Sequence, residues 1–195
     1  IDNATSGNIE IIETNAITVL KAVQGTAGNI GIAAGGTITV ANGTTNNAIT
    51  AAGSGTITLS TSSGGDVLIN SSIESVTGGI VVAANRVLTI ANGAVIDAGS
   101  GTIALQAQEN ITLGQVTTTN TGTTAVTLTS AVGRIVDGGD TGGADVIAGG
   151  RLVIDVVTGV GNGGAIETTV ASVDIDNTTS GNIEINETNA ITVFK

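Results

Sequence analysis

Residues 1–21, IDNATSGNIEIIETNAITVLK, return as residues 175–195, IDNTTSGNIEINETNAITVFK. Eighteen of the 21 paired positions are identical, and the exceptions are Ala4/Thr178, Ile12/Asn186 and Leu20/Phe194. Self-similarity at a fixed offset, here 174 residues, marks a repeat architecture in which each unit packs on its neighbours. The expected organisation is one long repeat, residues 1–174, followed by the start of the next, residues 175–195. A window on a longer tandem-repeat protein would read this way.

A shorter period lies inside the long one. Apolar-x-apolar triplets recur at Ile30/Ile32, Ile57/Leu59, Ile80/Val82, Ile103/Leu105, Val126/Leu128, Leu152/Ile154 and Val173/Ile175. Their spacings are 27, 23, 23, 23, 26 and 21 residues. A closing step of 31 completes the 174, giving about seven turns per long repeat. A second series follows 8 to 10 residues behind: Ile38/Val40, Val67/Ile69, Leu88/Ile90, Ile111/Leu113 and Ile183/Ile185. A weaker third contains Ile49, Ile73, Val95, Val116 and Ile191/Val193.

Alternation places two side chains of each triplet inward and one outward, as in a half-buried strand. Three short strands per turn, joined by Gly, Asn, Asp and Ser corners, predict an all-β chain folded as a parallel β-helix, or β-solenoid. It should be right-handed, the default for parallel crossovers. Seven turns spaced about 4.8 Å apart give roughly 34 Å of rod per long repeat. Ile9/Ile11 and Ile17/Val19 are expected at the same places in the cross-section as Ile183/Ile185 and Ile191/Val193.

Composition agrees with this fold. Pro, Cys, Met, Trp, Tyr and His are absent and Phe194 is the sole aromatic residue, so the core must be aliphatic. Strands that all donate to neighbours tolerate no proline. Hydrophobic residues at 41% against 11% charged argue against disorder. No apolar run approaches the ~20 residues of a membrane-spanning helix, and a transmembrane barrel would want aromatic girdles, so no membrane insertion is expected. The net charge is −11, and the five basic residues, Lys21, Arg86, Arg134, Arg151 and Lys195, are scattered. Nucleic acid, which needs clustered cations, is therefore not an expected partner.

The run GVGNGGAIETTVASVDIDNTTSGNIEINETNAITV (159–193) resembles the repeats of giant bacterial filamentous-haemagglutinin-like and other β-strand-repeat surface proteins. So do GTITVANG (36–43) and SGTIALQAQENITLG (100–114). The resemblance implies a right-handed β-helix in a secreted or cell-surface adhesin, stalk or fibre, and it carries over no catalytic residues. The expected function is structural: a segment of an extracellular rod. Its partner would be itself, through stacked repeats of one giant chain or head-to-tail copies. The alternative is an adhesin shaft whose corner loops at 42–48 and 137–145 bind a cell-surface receptor or glycan.

Residues able to do chemistry are few. Without His, Cys or Tyr the usual bases, nucleophiles and proton shuttles are missing. Glycosidase-type work needs two carboxylates across a cleft. The available sets are Asp174/Asp176, alternate residues of one strand, and Asp137/Asp140/Asp145 in one loop. Neither has an aromatic platform, and no enzyme activity or cofactor is expected. The same Asp137, Asp140 and Asp145 offer oxygen ligands on a glycine-rich corner and form the one candidate metal site, for a structural Ca²⁺. Outward residues of the first series, Gly31, Thr58, Val81, Ala104, Thr127, Val153 and Asp174, are too irregular for an ice-binding array.

Overall fold

The structure is a computed structural model that describes residues 1–41, 47–139, 143–161 and 163–195. Among these residues every element is a strand and every strand pair is parallel. The strands form three sheets of nine, nine and six members, so the chain winds as a β-solenoid with three strands per turn. Each sheet is one long side of the rod. No helix is long and apolar enough to cross a membrane.

The long face carries mostly five-residue strands, beginning Ile9–Glu13, Ile30–Ala34, Ile57–Thr61 and Ile80–Ala84. Its register follows the first apolar series: Ile30 stands beside Ile57, Ile57 beside Ile80, Ile80 beside Ile103, and so on to Val173. The short face is built of three-residue strands such as Ile38–Val40, Val67–Ile69, Leu88–Ile90 and Ile111–Leu113, as the second series predicts. In its last turns it thins to single bridges, Ile135 to Val160 and Val160 to Ile183.

Both inward rows are almost wholly buried. Leu105, for example, is closed off between Val82 of the previous turn and Leu128 of the next. Stacking of branched aliphatics turn upon turn accounts for the aromatic-free core, each fully buried side chain contributing roughly 1.5–3 kcal/mol.

The mixed face departs most from the expected pattern. Ile49, Ile73 and Val116 point inward, but in the strand Val95–Asp97 it is Ile96, not Val95, that is buried. Val95 and Ile96 are both apolar, so alternation alone could not choose between them. The register does, since Ile96 stands beside Ile73 and Val116. This face also turns small and polar side chains inward at its end: Gln24, Ala51, Ser75 and Thr118.

Those polar side chains serve the corner between the mixed and long faces. There Gly28, Gly55, Gly78 and Gly101 stack, and a Cβ on any of them would fall 2.0–2.2 Å from the carbonyl oxygen of the glycine one turn earlier. Only glycine fits such a column. Ser75 Oγ donates to Gly55 O at 2.8 Å and Thr118 Oγ1 to Gly101 O at 2.6 Å, while Gln24 Nε2 donates to Gly7 O. The buried hydroxyls and amide thus satisfy carbonyls that the tight corner shuts away from water.

The duplicated segment does not return to its starting place. Residues 1–21 begin on the mixed face, where Asp2 stands beside Val23, and residues 175–195 begin on the long face, where Asp176 stands beside Asp155. Ile9 is on the long face and Ile183 on the short; Ile17–Val19 is on the short face, whereas Thr192–Val193 extends the long one. Ile185–Glu187 lies on the mixed face, not with the long-face strand that holds Ile11. The expected identity of cross-sectional positions is therefore corrected: the long repeat spans seven turns and one further face.

Candidate functional site

Carboxylates converge at one corner of the rod. Asp137 ends the short-face strand Ile135–Asp137, Asp145 immediately precedes the mixed-face strand Val146–Ala148, and Glu167 lies one turn further on in Ile166–Thr169. One oxygen from each lies within 4.8 Å of the others. Of the three loop carboxylates, Asp137 and Asp145 come together. Asp140 lies outside the described residues. Glu167 was not foreseen, because its 22-residue separation from Asp145 becomes a contact only once the turn length is known.

Backbone N–H groups hold two of the three carboxylates. Asp137 Oδ1 accepts the Gly139 N–H at 2.7 Å, closing the start of the loop. Asp145 is 4% exposed, its main-chain oxygen takes the Val116 N–H at 2.7 Å, and its Oδ2 takes the Glu167 N–H at 3.2 Å. Glu167 Oε2 is sealed from solvent and meets no hydrogen-bond donor among the described residues.

Burial pushes the Asp145 carboxyl up from 3.8 to about 7; the Glu167 N–H opposes this, and the charges of Asp137 and Glu167 add to it. A buried carboxylate facing two others is favoured in its neutral form unless a cation joins it. The three oxygens are the right ligand type for a hard divalent ion, with Asp137, Asp145 and Glu167 as the residues that could hold it.

The other acidic pair is differently arranged. Asp174 and Asp176 share the outward side of one long-face strand and each has a cation: Arg151 Nη1 stands 3.6 Å from Asp174, and Lys195 Nζ 2.9 Å from Asp176. Asp176, with Asp174 and Asp155 behind it, raises the Lys195 pKa. Arg151 also lies under the Phe194 ring, 3.6 Å from its centroid, a cation–π contact. Two carboxylates flat on one sheet and already ion-paired do not face each other across a cleft. A depression along the corner between the long and short faces is lined by alanines with Thr61, Asn85, Gln106, Gln108 and Thr129, groups that hydrogen-bond without supplying an acid or base.

Comparison of the chain with protein-family models, curated proteins and solved structures returned no match.

Proposed function

We propose that this chain is a structural segment of a secreted or cell-surface rod built from tandem β-solenoid repeats. One observation carries the reading. Residues 175–195 repeat residues 1–21 almost without change and extend the stack in parallel register on the mixed and long faces. Stacking of a following repeat on the last turn is the arrangement this supports, with the mixed and long faces supplying the paired strands. The resemblance of its strand-and-turn repeats to those of filamentous-haemagglutinin-like surface proteins favours an extracellular setting. The net charge of −11 suits a rod, since it keeps long rods from clumping side by side.

Electron microscopy of the protein, or of a chain with several repeats, tests the proposal. Straight rods with an axial modulation near one long repeat, about 35 Å, are expected. Globular particles without axial order would remove the reading.

A further inference from the structure

We propose that successive 174-residue repeats are turned by one face relative to each other, so that each repeat presents its acidic corner on a different edge of the rod. Seven turns separate Asp2–Asn3 from the mixed-face strand Ile166–Thr169, and one more face leads to Ser172–Asn177, which contains the second Asp-Asn. Each copy completes one turn of its own. The first starts and ends against the mixed face, with Ile1 N bonded to Lys21 O, and the second against the long face, with Ile175 N bonded to Lys195 O.

The duplicated sequence can do this because several contacts recur inside each copy, although Glu187 also accepts from Thr168 Oγ1 and the Val170 N–H of the preceding turn. Lys21 binds Asp2 at 2.9 Å, and Lys195 binds Asp176 at 2.9 Å. The Asn15 N–H donates to Glu13 Oε1 at 3.0 Å, and the Asn189 N–H to Glu187 Oε1 at 3.2 Å. Asn3 and Asn177 each reach the carbonyl of the glycine four residues on, Gly7 and Gly181, both at positive φ. None of the recurring contacts refers to a particular face.

The three substituted positions do refer to one. Thr178, in place of Ala4, donates its hydroxyl to Val156 O at 3.4 Å. Asn186, in place of Ile12, stands beside Glu167 of the acidic corner. Phe194, in place of Leu20, covers Arg151. All three substituted side chains face residues of preceding turns.

A rod so built would carry the Asp137–Asp145–Glu167 corner on its three edges in succession, at steps of about 35 Å, returning to the same edge after 22 turns or about 106 Å.

The present chain tests the phase directly. It has no cysteine, so Ser172→Cys with Thr192→Cys, outward neighbours on the long face, gives an unambiguous pair. Val81→Cys with Ala104→Cys, neighbours in mid-rod, is the reference. Both pairs are expected to close under mild oxidation, read by mass spectrometry, since adjacent strands bring Cα atoms within disulfide reach. Thr192 reaches the long face because the second copy spreads Ile183 and Ile185–Glu187 over the short and mixed faces, where the first keeps Ile9–Glu13 on one. If residues 175–195 kept the faces of residues 1–21, Thr192 would sit on the short face with Thr18. The reference pair would then close while Ser172→Cys/Thr192→Cys stayed reduced, and the inference would be overturned. The consequence for a rod rests on the function proposed above. Closure of the pair without filaments would keep the phase and discard only the rod.

Discussion

Replacing Asp145 by asparagine probes the acidic corner most directly. In the folded chain burial raises this carboxyl from 3.8 to about 7. A raised acid pKa means that the fold holds the proton more tightly than the unfolded chain does. The contribution of Asp145 to stability is therefore greatest below about pH 4, falls as the pH climbs to about 7, and is level above that. The shift is about three units at 1.36 kcal/mol each, which bounds the loss near 4 kcal/mol; relaxation and water access bring the expected value to about 2–4 kcal/mol. The substituted amide would carry no charge, keep an acceptor for the Glu167 N–H, and offer its NH₂ to Asp137 and Glu167. Asp145→Asn should accordingly be more stable than the parent at pH 8, by at least about 1 kcal/mol, and close to it at pH 4.5. Urea unfolding followed by circular dichroism at the two pH values measures this. A difference between variant and parent that is the same at both would refute the reasoning.

Other changes test other parts of the fold. Calcium at millimolar concentration should raise the melting temperature of the parent at pH 8 and leave Asp145→Asn unmoved; equal responses would rule out cation binding at Asp137, Asp145 and Glu167. Leu105→Ala empties a fully buried place between Val82 and Leu128 and should cost about 2–5 kcal/mol in urea unfolding, less than about 1 being the failing result. Gly78→Ala would press a methyl to 2.0 Å from Gly55 O and should cost about 1–3 kcal/mol or more. Gly31→Ala, in a strand position with nothing within 4 Å of the new Cβ, should be neutral or stabilising by about 0.5–1 kcal/mol. Equal effects of the two glycine changes would deny the column its role.

The sequence was most readable where side chains are large and strands long. Every triplet from Ile30/Ile32 to Val173/Ile175 lies on one face, because five-residue strands with two branched aliphatics pointing inward leave a single way to align. The mixed face was harder, since its inward places are filled by Ala22, Gln24, Ser75 and Thr118 as often as by isoleucine. Polarity there reports the glycine corner that needs donors, not exposure to water. The face taken by residues 175–195 was not readable at all: the turn and ion-pair contacts of that segment are the same on any face. At the acidic corner Asp137 and Asp145 could be paired by eye, whereas Glu167 required the register.

Parallel winding also fixes how this molecule carries load. The bonds between turns, such as Ile80 N to Thr102 O and Ile103 N to Ala125 O, run along the rod, while the covalent chain runs around it. Tension applied end to end is thus borne by rungs of hydrogen bonds, with no peptide bond lying along the pull. The terminal turn peels first, and then the next. Each mid-rod turn, 23 residues from Ile80 to Ile103, would release about 80 Å of chain as it comes away. Pulled from its ends, the rod should lengthen one turn at a time, like thread unwinding from a spool.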